Sequence, residues 1–270
     1  METMQNDRED VELRAALQND VTYSHATSAI WQLAVYDTLH GGRRYANIGG
    51  RQLLEHLGSA ARLTSASHVL ELCCGVGDIC RDLAERFCCR VTGVEWNRRQ
   101  VDHARALPHP SVEFIEADVR LFDTPTRFDA IAAFDSLSLV PSLDVVLRRS
   151  ASLLAPGGTL VLSDVVAGPH VTPELQRFMW ELDAVVNLPT PDDYRELLTA
   201  AELRAIEIAD LTHVAEASFD AIGVSLRAHE ERLVRECGAA DVEEWRDAVA
   251  RYAGAFARRE LLYVCITARA

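Results

Sequence analysis

Apolar residues recur along this chain with two different periods, and the change from one to the other divides it. From residue 1 to about 60 the positions Leu13, Leu17, Ile30, Leu33, Leu53, Leu54 and Leu57 keep helical spacing. The loop Gly41-Gly42-Arg43-Arg44-Tyr45-Ala46-Asn47-Ile48-Gly49-Gly50 interrupts those helices. Compact apolar runs follow at 68–73, 90–94, 112–116, 128–134 and 159–165, each of strand length, with amphipathic segments such as 78–88, 97–107 and 142–154 between most of them. This alternation predicts a parallel sheet covered on both faces. Pro156-Gly157-Gly158 is a turn signal that ends the helix after Leu154 and admits the strand at Thr159.

Helical patterns return at 173–187, 192–201 and 215–252, the alternating run 203–209 predicts a strand, and 260–268 closes the chain as another. The expected fold is α/β: a Rossmann-like, mostly parallel seven-stranded sheet with helices on both faces and a helical cap. Residues 1–62 are expected as an N-terminal helical lid, 63–169 as the ligand-binding core, and 170–270 as cap segments with the last two strands of the same sheet.

Charge narrows the function. The net charge of −14, from 41 acidic and 27 basic residues, disfavours a polyanion partner, so no nucleic acid is expected. Every basic residue is Arg, which excludes a P-loop lysine, a pyridoxal-phosphate Schiff base and the Tyr-x-x-x-Lys chemistry of short-chain dehydrogenases. No run approaches the roughly 20 apolar residues of a membrane span, and residues 1–20 show no signal pattern, so a cytoplasmic protein without membrane association is expected. The seven cysteines, with the adjacent pairs Cys73-Cys74 and Cys88-Cys89, fit neither a zinc site nor a disulfide framework; reduced, mostly buried thiols and no metal are expected.

The first strand ends in Glu71-Leu72-Cys73-Cys74-Gly75-Val76-Gly77-Asp78. Gly75-x-Gly77 with Glu95 about 20 residues on suits a dinucleotide as well as a sulfonium nucleoside. Two features favour the second. Glu71 would repel a pyrophosphate but suit a cationic amino acid moiety, and Cys80 replaces the third glycine of the dinucleotide pattern.

Over residues 65–168 the sequence resembles the class I S-adenosylmethionine-dependent methyltransferases. Glu71 through Gly77 is similar to their first motif, with Cys73 in place of the usual first glycine. Thr92 through Val101 resembles the second, which implies that Glu95 holds the ribose hydroxyls, with Trp96 against the adenine and Gln100 nearby. Ala117-Asp118-Val119 resembles the third, implying that Asp118 meets the adenine amine and the Val119 N–H the ring. The implied cofactor is S-adenosyl-L-methionine, with S-adenosyl-L-homocysteine as product. Read only as residues, Glu71 could be a structural carboxylate, Glu95 a strand-end residue, Asp118 a helix cap and Trp96 a core aromatic; their joint order favours the ligand.

Methyl transfer is an in-line displacement, so aligning the acceptor and excluding water matter more than a base. Asp135 through Pro141 follows the fourth strand, and Leu139 stands where related enzymes often carry a His. Tyr36 through Gly42, continuing to Gly49, resembles the lid of the branch containing sarcosine/dimethylglycine methyltransferases and natural-product tailoring enzymes, which implies that Tyr36 closes over the methionine end. Asp135, His40 and Tyr45 are the catalytic candidates, and Asp135 is also a cofactor candidate. The expected reaction is methyl transfer to O, N or C of a small-molecule substrate in secondary metabolism, with a homodimer left open. Two alternatives stand: a relative that binds the cofactor but catalyses a cyclisation or rearrangement, and a non-catalytic cofactor-binding partner protein.

Overall fold

The computed structural model of the protein describes residues 47–270. Helix α1 (Arg51–Ala60) leads into β1 (His68–Leu72), α2 (Asp78–Phe87), β2 (Arg90–Glu95), α3 (Arg98–Ala106) and β3 (Val112–Glu116). Next come β4 (Phe128–Phe134), α4 (Leu143–Leu153), β5 (Leu154–Ala167), α5 (Pro173–Asp183) and α6 (Pro191–Ala200). The chain closes with β6 (Arg204–Asp210), α7 (Thr212–Cys237), α8 (Ala239–Ala257) and β7 (Leu261–Arg269). One seven-stranded sheet results, in the order β3-β2-β1-β4-β5-β7-β6. It is parallel from β3 to β5, and β7 runs antiparallel to both of its neighbours. The α/β architecture read from the periodicity is the one observed.

Alternation along the strands builds two cores. In β4, Ala130, Ala132 and Phe134 face one layer, while Ile131 and Ala133 face the other. In β7, Leu261, Tyr263 and Cys265 join the first layer and Leu262, Val264 and Ile266 the second. Helices α1, α2, α3, α5 and α8 bury side chains in the first layer, and α4 and α6 in the second. Because both faces are covered, the strands read as nearly continuous apolar runs. Helix α1, counted with the lid in the sequence division, places Leu53, Leu54 and Leu57 in the first layer at 2% exposure or less.

Two local readings change. The turn Pro156-Gly157-Gly158 lies inside β5: Phe128 pairs with Leu154 and Ala130 with Thr159, so the intervening residues bulge out. A Cβ on Gly158 would meet the Ala155 carbonyl oxygen at 2.8 Å, which explains the glycine. The segment 215–252 is two helices, parted at Gly238 with φ of 102°. They pack as a hairpin around their own small cluster of Leu226, Leu233 and Val242. Among the described residues no helix is long and apolar enough to cross a membrane, and all seven cysteines are free.

Candidate functional site

Parallel pairing brings the carboxyl ends of β1 to β4 to one edge of the sheet. The order turns outward on both sides of the β1–β4 pair, which is where open α/β sheets form their ligand crevice.

The turn after β1 is built on left-handed backbone. Cys73 and Gly75 have φ of 54° and Gly77 has 79°. Cys73 therefore adopts a conformation that favours glycine, at the position where the family pattern has one. The Cys74 N–H donates to the Val94 carbonyl at 3.0 Å and that of Gly77 to the Cys74 carbonyl at 2.9 Å. A Cβ on Gly77 would lie 2.3 Å from the Phe114 ring, so only glycine fits there. Arg81 staples the turn, bonding the Val76 carbonyl at 2.7 Å and Asp78 at 2.6 Å.

Glu95 ends β2 and ties three segments together. Its Oε2 accepts the Gly75 N–H at 3.0 Å and its Oε1 the Asn97 N–H at 2.9 Å. Asn97 in turn caps α3 by accepting from the Arg99 and Gln100 amides. Burial raises the Glu95 pKa, against the pull of the Asn97 and Gly75 amides. The Gln100 side chain lies over the turn, its Oε1 3.3 Å from where a Gly75 Cβ would be.

Cys73, Trp96, Asp118 and Val119, all singled out in the sequence, line one cleft with Arg120, Val140 and Pro141. It holds about 30 Å³ of free space, room for little more than a water or two. Trp96, 38% exposed, lies at its surface. Sequence reasoning missed Arg120. Its Nε donates to Asp118 Oδ1 at 2.9 Å, and its Nη2 bonds Oδ2. The backbone N–H of Arg120 reaches the same Oδ1, so the two-residue separation of a carboxylate and a guanidinium just after a strand was the available signal.

Glu71 is placed differently from the expectation. Its carboxyl accepts the Cys80 thiol hydrogen at 2.8 Å, and it is not among the residues lining the cleft. Burial pushes its pKa up to about 8, which favours the protonated form over the ionised one.

Asp135, a catalytic and cofactor candidate in the sequence, is held in a hydrogen-bond network. It stands just beyond β4 with φ of 51°, and its oxygens are occupied. Oδ1 accepts Ser163 Oγ at 2.6 Å and the Tyr263 hydroxyl at 2.8 Å, while Oδ2 accepts the Ile48 N–H. Burial raises its pKa to about 7, a value suited to a base, but the geometry spends it on joining the segment before α1 to β5 and β7. Tyr36, His40 and Tyr45 lie outside the described residues.

Beside Asp135, the segment after β4 is clamped. Ser138 and Tyr194 hydrogen-bond Asp164, the latter at 2.7 Å, and burial lifts Asp164 to about 6. The Ser138 carbonyl accepts the Val186 and Asn187 amides at 3.0 and 2.9 Å. Val186 and Leu188 also line a larger, open cavity of about 600 Å³ against α5, with Met179, Trp180 and Val185. That cavity shares no lining residue with the cleft and has no carboxylate cluster; the chemistry-bearing groups gather at the strand ends.

A family profile described as a methyltransferase domain matches residues 40–208. The O-methyltransferase cnsE of Penicillium expansum is 29% identical over 67% of this chain and 69% of its own length. Among solved structures, the phosphoethanolamine N-methyltransferase 2 of Haemonchus contortus aligns with a TM-score of 0.83 at 15% identity, covering 92% of this chain but only 59% of that one. The [4+2]-cyclase SpnF aligns with a TM-score of 0.74 at 21% identity over 92% of this chain and 96% of its own. At these identities the two structures show a shared fold.

Proposed function

Since the chain belongs to the methyltransferase-domain family, we propose that it transfers a methyl group from S-adenosylmethionine to a hydroxyl of a small organic acceptor. The observation that carries this is the convergence of Cys73, Trp96, Asp118 and Val119 on one cleft beside the Glu95-bound turn, within a chain whose family profile spans both. The choice of oxygen is supported by the name of the fungal relative.

The residues fit this cofactor by their donor set. Asp118 presents a carboxylate suited to an exocyclic amine, and Trp96, Val119, Val140 and Pro141 present apolar surface to a planar ring. Glu95, held by the Gly75, Trp96 and Asn97 amides, keeps part of its acceptor capacity for the ribose hydroxyls. Gly75 leaves space that a side chain would fill. Entry of a nucleoside into so narrow a cleft requires its rim to shift, with Trp96 the most exposed part. The bound cofactor supplies an electrophilic methyl on a sulfonium. The protein's share is to hold the ring and ribose, to align the acceptor and to keep water out. The open cavity of mixed polar and apolar lining beside Trp180, Val185 and Val186 is joined through the Ser138 bonds to the segment after β4 and lies within the size range of small-molecule sites, so we assign it to the acceptor's body.

A second reading, cyclisation or rearrangement without methyl transfer, is supported by the near full-length likeness to the cyclase and by the engagement of both Asp135 oxygens. One experiment separates the two. The protein is incubated with S-adenosylmethionine and a panel of hydroxylated acceptors, followed by mass spectrometry. Methyl transfer adds one methyl and releases S-adenosylhomocysteine in equal amount; an isomerised product of unchanged mass supports the second reading, and calorimetry showing binding of NAD without S-adenosylhomocysteine overturns both.

A further inference from the structure

Arg120 is 2% exposed, and its guanidinium is only partly satisfied. Nε and Nη2 grip Asp118, whereas Nη1 is buried without any hydrogen-bond partner. An arginine keeps its charge in a protein, so an unpaired buried N–H cannot relieve itself by losing the proton and calls for an acceptor. The same side chain lines the cleft, where Asp118 and Arg120 are the two ionic residues among Cys73, Trp96, Val119, Val140 and Pro141.

We propose that Arg120 Nη1 donates a hydrogen bond to a ring nitrogen of the bound cofactor's purine, so that Asp118 and Arg120 together read adenine; this rests on the cofactor reading above. The carboxylate offers an acceptor and the guanidinium, held beside it by the bidentate ion pair, offers a donor. Adenine presents the complement: an amine donor sharing one edge with N1 and the other with N7. Guanine would turn a carbonyl oxygen toward Asp118, so the pair also discriminates between purines. Arg120 thereby becomes a specificity-determining residue, and its grip on Asp118 fixes the angle at which the carboxylate meets the amine.

The test pairs changes in the ligand with changes in the protein. Binding of S-adenosylhomocysteine and of its 1-deaza, 3-deaza and 7-deaza analogues is measured by calorimetry for the parent, Arg120→Met and Arg120→Lys. The lysine variant retains a charge beside Asp118 should the methionine variant fold poorly. For the parent, the 1-deaza or the 7-deaza analogue should bind at least about 10-fold more weakly than S-adenosylhomocysteine, the cost of a lost charge-assisted bond. In Arg120→Met that penalty should largely vanish, in Arg120→Lys, whose shorter ammonium lacks the fixed fork, it should shrink, and the 3-deaza analogue should show no such coupling. A penalty of equal size in parent and variants, as a backbone N–H would produce, overturns the proposal. Failure of the parent to bind S-adenosylhomocysteine at all removes the cofactor reading and this inference with it.

Discussion

The hydroxyl of Tyr263 stands 2.8 Å from Oδ1 of Asp135 and 2.7 Å from the Ile48 carbonyl oxygen. One hydroxyl hydrogen cannot serve both acceptors fully. It is shared between Asp135 Oδ1 and the Ile48 carbonyl oxygen, both of which accept from it. The bonds from Ser163 and Tyr263 pull the Asp135 pKa down, but burial outweighs them and lifts it to about 7. Residues from β7, the end of β4 and the segment before α1 thus share one proton network.

Tyr263→Phe should loosen this junction. The substitution strands buried acceptors on Asp135 and Ile48 and should cost about 1–3 kcal/mol. Thermal melts should show the loss, and amide exchange at Ile48 should quicken beyond the global effect. Unchanged exchange there would show that the Tyr263 hydroxyl does not hold the segment.

Stability should decline as pH rises. Burial lifts Glu71 to about 8, Asp135 to about 7 and Asp164 to about 6, from ordinary values of 4.5, 3.8 and 3.8. Each group holds its proton more tightly when folded. Its stabilisation is therefore complete below the unfolded value and is lost as pH climbs through the folded one. The melting temperature should fall between about pH 4 and pH 8 from these groups. Glu71→Gln, which fixes a neutral side chain, should flatten the upper part of that decline, and an unchanged profile would place the Glu71 pKa elsewhere.

Glu95→Ala should weaken S-adenosylhomocysteine binding about 30- to 150-fold by removing two charge-assisted ribose bonds. Because Glu95 is 4% exposed and holds the Gly75 and Asn97 amides, the variant should also lose about 1–3 kcal/mol of stability. Glu95→Gln should fall between parent and Ala in calorimetry. Parent-like affinity in a folded Glu95→Ala protein would refute the ribose assignment.

Gly93→Ala tests the packing under the turn. A Cβ at this β2 position would meet the sulfurs of Cys74 and Cys80, each at 2.7 Å. Both thiols are buried, so the sheet has nowhere to yield and overpacking should cost about 1–3 kcal/mol. Cys74→Ala in the same chain should recover part of it in denaturant melts. A neutral single variant would mean that the sulfurs move aside freely.

Local chain chemistry determined much of this protein. Short apolar runs and the alternating run 203–209, set between helical patterns, located the seven strands of the described residues, because strands covered on both faces need apolar side chains on both sides. The short separations within Glu71–Gly77, Glu95–Gln100 and Asp118–Val119 placed the cleft, since each segment sits at the end of its own parallel strand. Only the tertiary structure decided where the carboxyls point. Glu71 lies in a motif that suggests a ligand, yet packing directs it onto Cys80 and burial favours its protonated form. Asp135 was a catalytic candidate because of its place after β4, and its partners Ile48, Ser163 and Tyr263 come from segments 87, 28 and 128 residues away. Periodicity tells which face of the sheet a side chain leaves from. What it meets there, and whether it keeps its charge, depends on distant segments and on the water they exclude.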